Sequence, residues 1–393
     1  MRNKDNAWSE ETFASEATQQ RGWALMPELE SITVKGFKSI ASIEALPLGD
    51  VNVLIGPNGS GKSNFIGVFS FLNAIREGRL QDFTLRQGGA ERILHFGSKQ
   101  TKSIVIQITF KDQINAYEIE LQPTESDELV PADESVYFWD KSRHDKPFRQ
   151  SLERNGKEAG ISSQNSTRIA TYIRAHLDRW RLYHFHDTST SSPMKKAAST
   201  NDNRFLRPDG SNLAPFLFFL RERYEADFNL IQNAIRRVAP FFKEFVLEQD
   251  RLNPDVMRLE WRHEKSDAYF DSSSLSDGTL RFIALAALLM QPAFLRPSVI
   301  LLDEPELGLH PYAIEMVAAL IKGASQVTQV VVSTQSSLFL DHFEPENVLV
   351  ANRYEGATIF NRLDPDQLES WLESYSLGQL WEKNKFGGRP DRE

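Results

Sequence analysis

The chain has 393 residues, 40% of them hydrophobic and 25% charged, enough apolar side chains for one large or two ordinary domain cores. A formal net charge of −9 argues against a generally basic face, and zero cysteines exclude disulfides and thiol chemistry. No apolar run reaches the length that spans a bilayer, the longest being Phe282 to Met290, and no basic, apolar leader opens the sequence, so a cytoplasmic location is expected.

Residues 1–25 are polar and acidic and read as an N-terminal extension. Val51 to Ile55 is a short apolar run, expected as a buried parallel strand. Gly56, Pro57, Asn58, Gly59, Ser60, Gly61, Lys62 and Ser63 follow it as a complete phosphate-binding loop, the Walker A pattern. Its glycines let the backbone curl so that N–H groups converge on phosphate oxygens, and Lys62 adds charge at the β and γ phosphates. Ser63 opens a helix marked by Phe65, Phe69, Leu72 and Ile75, so its hydroxyl is aimed at a phosphate-bound Mg2+. Asn64, in the same turn, is counted with the nucleotide-binding residues.

Farther along, Ser103 to Ile108 and Tyr117 to Leu121 alternate as strands do. Residues 122–170 are polar, with a basic stretch from Lys141 to Lys146, and Leu213 to Phe245 turns helical. His184 and His186 alternate on a strand-like segment, but no second cluster of His or Cys completes a metal site. Ser276 is a natural N-cap and Gly278 permits close backbone approach, so the turn Ser276-Asp277-Gly278 is a second anion-binding helix start, leading into Leu280 to Met290. Val299 to Leu302 reads as a strand covered on both faces, with Asp303 at its carboxyl end, where parallel sheets place ligands. Asp303 is expected to hold magnesium and Glu304 to polarise the attacking water. His310, in the loop after Glu304, reads either as a contact residue or as a hydrogen-bonded loop histidine. There is no long heptad run and no internal repeat.

The segment Leu275 to Thr279 resembles the signature motif of ABC-type ATPases, in the branch containing SMC and RecF proteins, and Gly36-Phe37-Lys38-Ser39-Ile40 resembles the first strand and turn of that group. Tyr183 to Ser189, Pro208 to Leu213, Asp303 to Pro311, Ser333 to Ser336, Tyr375 to Trp381 and Gly387 to Pro390 resemble a bacterial family of stand-alone predicted ATPases, over nearly everything from Met26 onward. This resemblance implies an α/β fold, an ABC-type P-loop ATPase head with a mixed sheet core, a β arm and an inserted helical lobe. ATPase lobe I is expected over 26–121, an insertion of polar loops and then a helical lobe over 122–258, lobe II with signature and Walker B over 259–363, and a helical tail over 364–393. It further implies that Ser276, Asp277 and Gly278 of one copy cover ATP held by the loop of another, and that His186-Asp187 occupies the place of the Q-loop. Two departures stand out: Asp277 replaces a glycine common in transporters, and Gln335 stands where a switch histidine is usual. Glutamine can hydrogen-bond a phosphate but cannot titrate near neutral pH, so slow hydrolysis is expected, with Glu304, Lys62 and Gln335 carrying the chemistry.

The reading favoured is an ATP-driven switch that closes as a homodimer and controls an effector. The resemblance makes a Toprim-type nuclease of an anti-phage or DNA-repair system the implied effector, supplied by another chain. The alternative is a RecF-like DNA-binding repair ATPase, with Arg143, Lys146, Lys195, Lys196, Arg204 and Arg207 as a local basic patch. A transporter ATPase subunit is the third class, and nothing in the sequence marks a surface for membrane domains.

Overall fold

The computed structural model describes residues 29–163 and 167–387. The extension over 1–25, the Met26 start and the closing Gly388-Arg389-Pro390 lie outside the described residues.

Two six-stranded sheets organise the chain. Strands β1 (Leu29–Phe37), β2 (Ile40–Pro47), β3 (Val51–Ile55), β4 (Ile104–Phe110), β5 (Asn115–Pro123), β6 (Leu129–Phe138) and β7 (Phe148–Ser151) come first. Then follow β8 (Trp180–Tyr183), β9 (Val299–Asp303), β10 (Gln329–Thr334), β11 (Val348–Tyr354) and β12 (Ala357–Arg362). One sheet is antiparallel throughout, in the order β2-β1-β4-β5-β6-β7. The other runs β12-β11-β3-β10-β9-β8 and is parallel except for the β11/β12 hairpin.

The two sheets differ as their sequences require. In β4, Ile104, Ile106, Ile108 and Phe110 are buried while the residues between them are partly open, the alternation of a sheet covered on one face. In β3 and β10 every residue is buried, and in β9 all but Asp303. Their side chains feed two cores: Val299, Leu301 and Val331 point to one, Ile300, Leu302, Val330 and Val332 to the other. The first core holds helix α1 (Lys62–Arg76), whose Phe65, Phe69 and Leu72 pack between the antiparallel and parallel sheets. On the opposite face lie α4 (Leu213–Arg223), α5 (Glu225–Val238), α6 (Asp277–Met290) and α7 (Pro311–Ala324), preceded in the chain by α2 (Leu80–Arg86) and α3 (Arg168–Leu177). Helix α6 is buried from Leu280 to Leu289, which explains its nearly uninterrupted apolar sequence. The chain ends in α8 (Pro365–Leu372) and α9 (Leu377–Glu382).

Three segments differ from their sequence reading. Residues 122–151, read as polar loops, contain β6 and β7, which extend the antiparallel sheet. The helical pattern over 213–245 ends at Val238, before Ala239-Pro240, because proline lacks the N–H a continuing helix needs; Phe242–Val246 is instead a strand paired with Glu260–His263. His184 and His186 follow β8 rather than lying in it. Among the described residues no helix is long and apolar enough to cross a membrane.

Candidate nucleotide site

The loop Gly56–Ser63 leaves the end of β3 and enters α1. Gly59 and Gly61 adopt φ of 80° and 102°, the left-handed region where a side chain is strained. A β-carbon on Gly61 would stand 2.0 Å from Thr358 Oγ1, and one on Gly56 would stand 2.4 Å from the Ala351 carbonyl oxygen. The loop is therefore clamped from outside by β11 and β12. Thr358 Oγ1 donates to the Ser60 carbonyl at 2.9 Å and lies 2.7 Å from the Ser39 hydroxyl, and the Asn64 amide donates to Ser39 Oγ at 2.7 Å. Asn58, Gly59 and Ser63 remain exposed.

Lys62 is buried, and its ammonium donates to the carbonyls of Gly56 at 2.6 Å and Pro57 at 3.0 Å. Burial pushes its pKa down, and the nearby carboxylates Glu304, Asp303 and Glu306 oppose that shift. The parallel order explains the proximity, since β10 separates β3 from β9 and brings Asp303 to the same edge as the loop.

Around the acidic pair the contacts are dense. The Ser333 hydroxyl donates to Asp303 Oδ1, and Gln335 Nε2 donates to Glu304 Oε1. Glu304 has φ of 42° and its N–H donates to the Ser333 carbonyl at 2.9 Å. The His186 ring donates from Nε2 to the Asp303 carbonyl at 2.6 Å, which fixes its tautomer and draws this segment against the end of β9. Glu306 is almost fully buried: Thr334 Oγ1 donates to its Oε1, and its Oε2 has no hydrogen-bond partner among the described residues. Desolvation pushes the Glu306 carboxyl up.

Ser276, Asp277 and Gly278 make their contacts elsewhere. Ser276 caps α6, its Oγ accepting from the Thr279 N–H at 3.1 Å. Asp277 is exposed and lies 3.5 Å from Lys195 Nζ, which also donates to the Thr188 carbonyl at 2.6 Å. A β-carbon on Gly278 would meet the Gly308 carbonyl oxygen at 2.6 Å, so glycine allows the start of α6 to pack on the loop after Glu304. Arg281 ties this corner together, donating to the carbonyls of Phe185 at 3.0 Å and His186 at 3.1 Å. His310 caps α7 through Nδ1, which accepts from the Tyr312 N–H at 3.3 Å.

The structure thus gathers Lys62, Asp303, Glu304 and Gln335 at one sheet edge, with Ser63 opening α1 beside them. Sequence reasoning missed Thr358, Glu306 and Arg281, and read Lys195 as part of a basic patch rather than as the partner of Asp277. Thr358 lies nearly three hundred residues from the loop it braces and carries no local signal. Glu306 and Arg281 stand inside segments recognised for neighbouring residues, and a charge amid an apolar run, as at Arg281, was the available clue.

Residues 51–341, well over half of the chain, match the family described as "AAA domain, putative AbiEii toxin, Type IV TA system". A crystal structure of an Smc head bound to the C-winged helix domain of ScpA is similar with a TM-score of 0.57 at 19% identity, covering 88% of this chain and 100% of that one. An Smc head with an extended coiled coil, bound to the C-terminal domain of ScpA and derived from Pyrococcus furiosus, gives 0.55 at 15% identity, covering 88% and 99%. No curated protein matches the chain in sequence. At these identities the likeness is one of fold, and that fold is the ABC-type P-loop ATPase head. The chain belongs to this AAA-domain family, and its fold is similar to that of Smc heads.

Proposed function

We propose that the protein is a switch ATPase that binds ATP with magnesium, closes head-to-tail on a second copy and opens after slow hydrolysis. The observation that carries this reading is the Gln335–Glu304 contact at the same sheet edge as buried Lys62, a water-polarising carboxylate held beside a phosphate-binding ammonium. The loop N–H groups and Lys62 bind the phosphates, which offer Lys62 anionic oxygens in place of two carbonyls. Ser63 and Asp303 are hard oxygen donors, and magnesium, which keeps several waters and phosphate oxygens, needs only one or two such protein ligands. Held by Ser63 and Asp303, the ion would supply positive charge to offset that of the transferred phosphoryl group. Glu304 orients and deprotonates the attacking water, and Gln335 holds the Glu304 carboxylate in place.

Ser276 and Asp277 are exposed and contact Thr279 and Lys195 rather than the loop of their own chain, which supports their serving the loop of a second copy. Lys195 compensates the carboxylate that replaces a signature glycine, so Asp277 can face a phosphate at reduced cost. An effector completes the switch. The ScpA domains seated on the Smc heads support a protein partner of this kind, and a nuclease of a defence or repair system remains the effector that the sequence resemblance implies.

The test combines binding and turnover. Lys62→Ala is expected to weaken ATP binding by about tenfold or more, whereas Glu304→Gln keeps binding and loses at least about a hundredfold in phosphate release. Unchanged ATP binding in Lys62→Ala, or full turnover in Glu304→Gln, would sink these assignments.

A further inference from the structure

The loop between β6 and β7 closes one end of the edge pair of the antiparallel sheet. From Phe138 to Arg149 it carries Lys141, Arg143, Lys146 and Arg149 against only Asp140 and Asp145, in a chain of net charge −9. Phe138 and Phe148 face each other across the strands and are 42% and 60% exposed. A contiguous apolar surface rimmed by charge marks an interaction site more than single exposed residues do.

The loop is built, not merely solvated. The Trp139 indole N–H donates to the His144 carbonyl at 2.8 Å, folding the loop back, and the Lys141 ammonium lies 5.0 Å from the Trp139 ring centre. Asp140 accepts from the Ser142 N–H and hydroxyl and lies 3.4 Å from Arg143, so it is engaged within the loop. Phe138 and Asp140 line two open clefts. One of about 460 Å³ runs along Arg143, Lys146 and Phe148, and the other, of about 330 Å³, along Ile114, Trp139 and Lys141. Within the loop Arg149 pairs with Asp133, and of the basic residues outside it Lys195 is held by Thr188 and Asp277 and Arg207 by Asp202.

We infer that this loop binds single-stranded nucleic acid, its phosphates against Lys141, Arg143 and Lys146 and its bases stacked on Phe138 and Phe148. Flat rings beside cations hold unpaired bases without regard to sequence, whereas a duplex keeps its bases stacked on one another. An acidic peptide would use the cations and leave the ring pair without a role. This surface is separate from the nucleotide site and does not depend on the ATPase reading.

The experiment is fluorescence anisotropy of a fluorescein-labelled oligothymidylate with the full chain and no added ATP. Wild type is compared with the double variant Lys141→Glu/Lys146→Glu, with Phe148→Ala, and with Arg237→Glu, an exposed charge on α5. Each loop variant is expected to weaken binding by about tenfold or more, Arg237→Glu to leave it unchanged, and wild-type affinity to fall steeply with salt. A matching duplex is expected to bind more weakly. The inference is overturned if wild type does not bind, if the loop variants bind like wild type, or if Arg237→Glu loses as much as they do. It is equally overturned if the duplex binds as tightly or if polyglutamate displaces the probe as readily as unlabelled oligothymidylate.

Discussion

Glu304 is held in a backbone conformation that residues with a β-carbon rarely adopt. A φ of 42° costs on the order of 1–3 kcal/mol and persists only where the surroundings over-determine it. Here the N–H bond to Ser333 and the Gln335 amide do so. In the proposed cycle Gln335 would act as a fixed positioner, since an amide neither gains nor loses a proton as histidine does. If that is its role, Gln335→Ala should cut kcat by roughly tenfold while changing ATP affinity by less than about threefold. Equal losses in both, from phosphate-release kinetics and calorimetry, would mean that Gln335 merely supports the local fold. Gly61 poses the complementary case. Gly61→Ala drives a methyl group into Thr358, which braces Ser60 and Ser39, and asks for a left-handed alanine. It is expected to abolish detectable nucleotide binding and to lower the melting temperature; a variant that binds ATP normally would contradict the clamping of the loop by β12.

Among the elements, those that were legible in the sequence are those whose burial is regular, alternating in β4 and β5 and uniform elsewhere. The continuous apolar runs of β3 and β9, and the apolar length of α6, announce themselves, and with them the positions of Lys62, Asp303 and Ser276. Strand β6 does not, because its buried residues include Glu134 and, on the other face, Ser135. Glu134 is tolerated there because Tyr117 donates to it at 3.0 Å and the N–H groups of Gly160 and Ile161 at 2.6 and 2.8 Å, partners that no local pattern reveals. Helix α3 packs behind this sheet and carries a second buried polar group. His176 is 1% exposed, lies between the rings of Phe110 and Tyr172, and has no hydrogen-bond partner for Nε2 among the described residues. Burial, helped by Arg179, pushes its pKa down to about 4 from an ordinary 6.5. The unfolded chain thus takes up the proton first as pH falls. Stability from this group is complete above pH 6.5 and is lost progressively down to about pH 4, by about 3 kcal/mol. Urea unfolding across that window should show a steeper loss for wild type than for His176→Leu. Identical pH slopes would mean that His176 is not buried in its neutral form.

At the scale of the whole molecule, the parallel sheet and the helical layer divide the chemistry. The phosphate loop and the acidic pair share the edge formed by β3, β10 and β9, and the start of α6 packs on the loop after Glu304 with Ser276 and Asp277 open to solvent. The sequence shows both helix starts, but it cannot show which surfaces of the fold they occupy or that Asp277 has a cation beside it. Arg281, binding the backbone of Phe185 and His186, links α6 to the segment that touches Asp303, so in the proposed closure a shift of α6 would reach the acidic edge through these contacts. Head-to-tail closure is best tested by the solution mass of Glu304→Gln with and without magnesium ATP, since blocking hydrolysis traps the closed state. A change from monomer to dimer that requires ATP, and that Ser276→Arg abolishes while each chain still binds ATP, is the expected result. A mass that is the same with and without nucleotide would contradict a shared site.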